Sequence, residues 1–184
     1  IKMRCSWVDE NCEIYTRYHD KEWGKPVHND RKLFEMLILE GFQAGLSWIT
    51  VLKKRTAFAK EFADFEPEKV AEFDEAKIEK MLQNPKIIRS RQKICAAISN
   101  AKIFLQIQQE FGSFDQYLWH FTNGETKKYN IFPCPVQNEL SATISKDLKK
   151  RGMKYVGSVI MYSYLQAVGI INDHEPQCFC HVSD

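Results

Sequence analysis

The chain has 184 residues, of which 44% are hydrophobic and 12% aromatic, and its formal net charge is +2. This length suits one domain with a substantial core, and the richness in core-forming residues excludes an intrinsically disordered protein. Only 8 glycines and 6 prolines are present, fewer than average usage predicts, which favours helices over turn-rich β architectures. The small net charge by itself indicates no class of partner.

No apolar run approaches the roughly 18 residues that a membrane span needs, and the N-terminus lacks the pattern of a signal peptide. A cytoplasmic, reducing location is therefore expected. In such a location the six cysteines more often serve as free thiols or metal ligands than as disulfides.

The spacing of apolar residues predicts an all-α fold, and no segment shows the alternation typical of a strand. Asp30 is a suitable N-cap for a helix over residues 31–41, and a second helix runs over residues 48–52. Pro67 and Asp74 are typical starts of short helices. The later elements are a long helix at 87–109, a shorter helix at 114–121, a loop at 123–138, a helix capped by Ser145 that ends at Arg151, and a helix at 157–168.

Cysteines and histidines near the two chain ends form a candidate metal set. Cys5 and His19 lie near the N-terminus, whereas His174 and Cys178 are four residues apart near the C-terminus, a spacing that points both side chains one way. Two thiolates and two imidazoles make the usual closed, tetrahedral zinc site. The alternative is ordinary cysteines with a surface histidine, and other residues of these types leave the ligand set open: Cys12, His28, Cys180 and His181.

Glu40 is an acid in an apolar and aromatic setting. Helical spacing places it on the same face as Leu33 and Leu37, where its carboxylate is partly desolvated and needs a partner. Flat rings beside a carboxylate suit a planar, cationic ligand, through stacking and cation–π attraction. The residues alone favour a different interpretation, a buried glutamate satisfied by local amides within an aromatic core. The rings nearest in the sequence are Tyr15, Tyr18, Trp23 and Trp48.

Residues 148–157 indicate a helix, a tight basic hairpin and the start of another helix. Gly157 and Ser158 would offer free backbone amides at a helix N-terminus, which is a natural phosphate site. Basic clusters at 53–55, 86–93 and 146–154 could add a sequence-independent contribution to nucleic-acid affinity. Considered alone, the hairpin is an ordinary αα-hairpin and the basic clusters are solvated helix faces.

One long block and several short motifs carry a family resemblance. They are Cys5-Ser6-Trp7, Tyr18-His19-Asp20, Glu22-Trp23-Gly24, Leu39-Glu40-Gly41, AGLSWITVLKKR at 44–55, and Asn172-Asp173-His174. Together they resemble the DNA-3-methyladenine glycosylase I family, the Tag branch of the helix-hairpin-helix DNA glycosylases. The likeness runs from Cys5 to Cys178, nearly the whole chain.

The resemblance implies an all-α helix-hairpin-helix DNA glycosylase fold in a single domain at 1–184. Its helical core would lie at about 30–170, and one structural zinc ion would join the terminal segments 1–29 and 171–184. It also implies an enzyme that flips 3-methyladenine out of double-stranded alkylated DNA and hydrolyses the glycosidic bond. No lysine stands out as a Schiff-base nucleophile, so no lyase activity is expected. Nothing in the sequence indicates an oligomer interface or a membrane partner, so a monomer is expected.

The resemblance also assigns roles to individual residues. Glu40 would be the active-site carboxylate that reads the base. The zinc ligands would be Cys5, His19, His174 and Cys178, and the pocket rings would be Tyr15, Tyr18, Trp23 and Trp48. Gly45 and Leu46 would fill the gap left in the duplex, and Gly152, Gly157 and Ser158 would anchor phosphates.

Two segments depart from the family pattern. Residues 123–141 match nothing in it and are expected to lie away from the pocket, while Cys180 stays open as a substitute for Cys178. Asp173 is expected to orient the neighbouring ligand His174 rather than act on the sugar.

Two other classes of function compete with the glycosylase. A zinc hydrolase would need an open coordination position, against which four protein ligands argue. A non-catalytic module that binds damaged DNA would not need a carboxylate among aromatic rings.

Overall fold

The computed structural model describes residues 1–182, and regular structure there is helical apart from an isolated bridge between Lys127 and Ile171. The elements are α1 Glu13–Lys21, α2 Asp30–Gln43, α3 Trp48–Lys53, α4 Arg55–Glu61, a 3₁₀ turn Ala63–Phe65, α5 Pro67–Ala71, α6 Glu75–Met81, α7 Arg91–Phe111, α8 Phe114–His120, α9 Glu139–Lys150 and α10 Ser158–Ala167. The predicted all-α fold is confirmed. None of these helices combines the length and the apolar character that crossing a bilayer requires.

Helix α2 is the centre of the molecule. Its buried residues are not confined to one stripe, as is typical of a helix surrounded by others. The ring of Phe34 lies 5.0 Å from Phe104 of α7, which stacks 4.3 Å from Phe114 of α8. From α10, the Tyr164 hydroxyl donates to the Leu33 carbonyl at 2.8 Å. Because α2 is enclosed in this way, a polar residue in it is carried into the interior.

The start of α2 differs from the prediction. Asn29, rather than Asp30, is the N-cap, and its side chain accepts a hydrogen bond from the amide three residues on. The Asp30 carboxylate instead accepts from the backbone amides of Phe114 and Asp115 at 2.9 and 2.8 Å, and from Gln108 Nε2 at 2.8 Å. Asp30 therefore caps α8 from a neighbouring helix, a contact that local sequence spacing cannot reveal.

Other helix boundaries also differ from the prediction. Helix α9 begins before Ser145, which lies buried inside it, because Asn138 and Ser141 form a reciprocal capping box. Helix α7 begins at Arg91 rather than at residue 87, because Ser90 accepts from an amide of its first turn. Two short helices, α1 and α4, were not predicted, and tertiary packing stabilises such short elements more than their own propensity does.

The segment after α1 runs alongside the end of α10. Gly24 N donates to Gln166 O and Val27 N to Val168 O, both at 2.9 Å. Gly169 has a φ of +76°, and a Cβ at this position would lie 2.1 Å from the carbonyl carbon of Lys25. Only glycine fits so close an approach. This pairing brings the two terminal segments to the same side of the helical core.

The capping of α8 by Asp30 has a measurable consequence. Asp30→Ala should lower the free energy of unfolding by about 2 kcal/mol, because two helix-start amides and a side-chain amide lose an acceptor. The corresponding fall in Tm is roughly 4–8 °C for a chain of this size. Glu68→Ala, which removes an exposed acid of α5, is the control and should change stability by less than about 0.5 kcal/mol. Equal melting temperatures for the two variants would contradict the assigned role.

Candidate active site and metal centre

A cavity of about 620 Å³ opens beside the C-terminal half of α2. Glu40 lines it, together with the four rings that the sequence analysis assigned to the pocket and a fifth, Trp7. The ring of Trp7 lies 5.0 Å from Trp23 and 5.2 Å from Tyr15, and Tyr18 lies 5.5 Å from Trp48. The remaining lining mixes the apolar Phe132 and Pro133 with polar residues such as Ser163, Gln166 and Asp173, and also includes Cys134.

Unpartnered polar atoms concentrate in this cavity. Within residues 1–182, three buried side-chain polar atoms lack a hydrogen-bond partner: Trp7 Nε1, Glu40 Oε2 and Trp48 Nε1. All three residues line the cavity. Leaving such atoms unpaired costs free energy, so native proteins rarely tolerate them without a functional reason. Two N–H donors and one carboxyl oxygen are thus available to a ligand.

Glu40 is 3% exposed, and burial of its carboxyl group raises the pKa to about 8. In the free protein the group is therefore largely protonated at neutral pH. A cation placed beside it would stabilise the ionised form and lower this pKa. The cavity is thus electrostatically suited to a flat, positively charged ligand.

Trp7 is a lining residue that the sequence analysis did not assign to the pocket. It was part of a family motif, and its position two residues after the predicted ligand Cys5 was the available signal. The expectation that residues 123–141 lie away from the pocket is wrong, because Phe132, Pro133 and Cys134 line it. Backbone hydrogen bonds at Lys127 draw this segment alongside residues 170–172, which directly precede Asp173 and His174.

The four predicted metal ligands lie together behind the aromatic rings. Their ligand atoms all lie within 4.8 Å of one another, and all four residues are buried. Cys178 Sγ is 3.4 Å from His19 Nε2 and 3.5 Å from His174 Nδ1, and Cys5 Sγ is 3.5 Å from that same Nδ1. Metal–ligand bonds of about 2.0–2.3 Å at tetrahedral angles place ligand atoms about 3.3–3.8 Å apart, so the donor set fits Zn²⁺.

Hydrogen bonds on the outer side of this group orient both imidazoles. His19 Nδ1 is 2.8 Å from Asp20 Oδ1, and His174 Nε2 is 2.8 Å from the Trp23 carbonyl oxygen. Such partners fix which ring nitrogen faces a metal.

Asp173 does not orient His174, although the sequence predicted this role. Its carboxylate accepts from the Tyr162 hydroxyl at 2.5 Å and from Gln166 Nε2 at 2.8 Å, and it lines the cavity.

Burial shifts the pKa values of two members of the metal group in the absence of an ion. It raises the pKa of the Cys5 thiol and lowers the pKa of His174 to about 4, so both are neutral at pH 7. A divalent cation bound among the four side chains would favour the thiolates.

The competing cysteines and histidines have other environments. Cys180 is not a member of the four-residue set but belongs to a second, smaller group with His19 and Asp20, and its backbone amide donates to Cys178 Sγ. His28 pairs with Asp115, far along the chain, and His181 Nδ1 contacts the His174 carbonyl. Cys12 is the N-cap of α1.

Two exposed features flank the cavity-lining helices. The first, here called the wedge turn, is residues 43–47, which run from the last residue of α2 to the residue before α3; Gly45 there has a φ of +80° and Leu46 is 39% exposed. The second, here called the hairpin, is residues 151–157 between α9 and α10, with Gly152 at a φ of +99° and Gly157 as the N-cap of α10. The Ser158 hydroxyl donates to the side chain of Gln137.

The predicted basic clusters are partly paired within the protein. Arg55 binds Glu22 and Glu35, and Arg151 binds Asp147 and Glu110. Arg91 is exposed but pairs with Glu75 and Glu79. The cations of these clusters that are exposed and outside such ion pairs are Lys53, Lys86, Arg89, Lys146, Lys149, Lys150 and Lys154. Only this exposed subset can contribute to an electrostatic surface without breaking an ion pair.

Comparison with known proteins agrees with this geometry. A family model described as methyladenine glycosylase matches residues 7–181. The chain is 46% identical over 181 residues to DNA-3-methyladenine glycosylase 1 of Escherichia coli (strain K12), which covers 97% of this chain and 96% of the relative. A crystal structure of 3-methyladenine DNA glycosylase I superposes with a TM-score of 0.94 at 46% identity, covering 98% of this chain and 100% of that one.

A further solved structure, a variant of 3-methyladenine DNA glycosylase I in complex with 3-methyladenine, superposes with a TM-score of 0.91 at 36% identity over 95% of each chain. The family resemblance seen in the sequence is thereby confirmed. Since the family model and these relatives each cover nearly the whole chain, the protein belongs to the methyladenine glycosylase family.

Proposed function

We propose that the protein is a DNA repair enzyme that excises 3-methyladenine from alkylated double-stranded DNA by hydrolysing its N-glycosidic bond. The observation that carries this proposal is the cavity in which Trp7 Nε1, Glu40 Oε2 and Trp48 Nε1 are all buried and unpartnered. Aromatic rings, two N–H donors and a carboxyl group complement the face and the polar edges of a flat, methylated purine. The relatives' activity supports the same substrate.

Recognition of the base would rest on charge as well as shape. A nucleotide methylated at N3 carries positive charge, which is delocalised over the purine ring. Stacking on electron-rich rings stabilises such a cation, and an ionised Glu40 adds an acceptor for the exocyclic amine. An unmodified adenine is neutral and would have to pair with a carboxyl that burial keeps protonated. The cavity therefore discriminates by charge between damaged and normal bases.

The chemistry demands little acid catalysis from the protein. The positive charge of the damaged base weakens the glycosidic bond, and the departing base leaves as a neutral molecule. The bond therefore breaks toward an oxocarbenium-like sugar, and water adds at the anomeric carbon. The tasks left to this chain are to hold the base out of the stack, to orient it, and to shield the charged intermediate within the cavity. We expect no lyase step.

Binding of the duplex would use the wedge turn and the hairpin. Leu46 is an exposed apolar side chain in the wedge turn that follows the cavity-lining helix α2. Its insertion into the duplex, at the position vacated by the flipped base, would replace the stacking that the neighbouring bases lose. The backbone amides near Gly157 and Ser158 lie at the N-terminus of a ten-residue helix, where phosphate binding is favourable. Exposed lysines nearby supply the salt-dependent part of the affinity.

The metal is proposed to be one structural zinc ion held by Cys5, His19, His174 and Cys178. Zinc supplies a cross-link between the terminal segments, and four protein ligands leave no open position for a substrate. That closed donor set argues against the metal-dependent hydrolase. The cross-link and the family match over residues 7–181 support a single domain, and we expect it to act as a monomer.

Base release is the direct test of this function. Methylated duplex DNA is incubated with the protein, and the freed bases are separated by chromatography. We expect release of 3-methyladenine, with 7-methylguanine left in the DNA. Binding of the same DNA without release of any base would overturn the enzyme in favour of a module that binds damaged DNA.

Glu40→Gln tests the pocket carboxyl, because glutamine keeps the shape of the protonated acid but cannot ionise beside a cationic base. The rate of single-turnover release of 3-methyladenine should fall by about a hundredfold, because this is the usual loss when an active site lacks one group that stabilises charge. The dissociation constant for duplex DNA should stay within about threefold, because phosphate contacts dominate it. Glu68→Gln is the matched control on the surface. Equal losses of release and DNA binding would instead indicate a misfolded pocket.

Cys178→Ser tests the metal centre, since serine is a poor zinc ligand of nearly the same size. The variant should lose most of its bound zinc, measured by elemental analysis, and its Tm should fall by more than about 5 °C. Cys12→Ser and Cys180→Ser are the controls and should keep both metal and Tm. Loss of zinc from Cys180→Ser with retention in Cys178→Ser would reassign the fourth ligand.

A further inference from the structure

Lys93 of α7 holds the end of α2 from outside that helix. Its ammonium donates to the carbonyl oxygens of Phe42 and Ala44 at 2.9 and 2.7 Å. Helix α2 has no basic residue in its last turn, so Lys93 provides the cation that its C-terminal carbonyls otherwise lack. Both carbonyls lie within three residues of Gly45, where the wedge turn leaves the helix.

Few other contacts hold the wedge turn. Among residues 1–182, no atom beyond Gly45 and its two chain neighbours lies within 4 Å of the position that a Cβ on Gly45 would take, and Leu46 is 39% exposed. Within the turn, Leu46 N donates to Gln43 O at 2.7 Å, and Gln43 Nε2 donates to Leu46 O at 3.4 Å. These local bonds shape the turn but do not fix it to the rest of the protein. The ammonium of Lys93 makes that connection.

The same face of α7 also holds the hairpin. Asn100 accepts from Lys154 N at 2.9 Å and donates to Lys154 O at 2.8 Å, so its side chain pairs with both backbone groups of one hairpin residue. Lys93 and Asn100 are seven residues apart, two helical turns or about 10.5 Å along the axis. The Cβ atom of Tyr155, in the hairpin, lies 3.5 Å from the position that a Cβ on Gly41 of α2 would take.

We infer that α7 sets the spacing of the two DNA-contacting elements, with Lys93 as the positioning residue for the wedge turn and Asn100 as that for the hairpin. The inference rests on the proposed function, in which both elements contact one duplex. A rigid spacing matters because the wedge turn enters the base stack while the hairpin holds the backbone. If either element shifts, the two can no longer engage the duplex together.

The test uses two ligands that separate the duplex from the pocket. The first is a duplex with a stable abasic-site analogue, whose affinity is measured by fluorescence anisotropy. The second is free 3-methyladenine, followed by quenching of tryptophan fluorescence. Lys93→Met should weaken binding of the duplex by about tenfold, because the wedge turn loses its anchor. Affinity for the free base should stay within about twofold, because Lys93 does not line the base cavity.

Matched variants separate positioning from loss of charge. Lys102→Met removes one exposed charge from α7, nine residues from Lys93 and so on the opposite face of the helix, and should leave the duplex affinity unchanged. Lys93→Arg keeps a cationic donor and should restore most of the affinity. Asn100→Ala should weaken binding of the duplex but not of the free base.

A double-mutant cycle with Leu46→Ala tests whether Lys93 acts through the wedge turn. In the Leu46→Ala background, Lys93→Met should cost less than half of its usual effect on duplex binding. Full additivity, an unchanged duplex affinity in Lys93→Met, or an equal loss of free-base binding would each overturn the inference. Release of 3-methyladenine by the unsubstituted protein is measured in parallel. Its absence would refute the proposed function, while the variants still report on the anchoring of the wedge turn.

Discussion

The burial of one carboxyl group among aromatic rings is the constraint on which the functional part of this structure depends. Glu40 is carried into the interior because α2 is enclosed by other helices, and its Oε2 finds no partner there. Burial raises its pKa to about 8, which means that the protein holds a group poised to ionise when a cation arrives. A fold that merely needed stability would have an apolar side chain at this position, since an unsatisfied polar group costs more than it contributes.

The metal group contacts the aromatic lining of the cavity. Trp7 follows Cys5 by two residues, and the carbonyl of Trp23 accepts from His174, whose ring lies 4.7 Å from the Trp23 ring. A metal bound there would restrain two terminal segments and, through them, two rings of the cavity. An ion bound there would thus influence the shape of the cavity without lining it.

The sequence was most informative where chemistry is local. The helical spacing from Leu33 to Glu40 correctly indicated a buried acid, and the i, i+4 spacing of His174 and Cys178 correctly paired two members of the metal group. Local spacing led to a wrong assignment where a side chain binds a distant element of the fold. Asp30 resembles an N-cap of its own helix, yet its carboxylate caps α8, because helix packing brings that start within hydrogen-bond reach.

By itself the sequence determined the all-α class, the family and the residue types of the site, because periodicity and short motifs express local preferences and chemistry. Only the tertiary structure decided which groups face one another. It brought Trp7 and the segment at Phe132 into the cavity and placed Lys93 under the end of α2. These relations join residues that are tens of positions apart, and they depend on how helices pack, which no local pattern in the chain encodes.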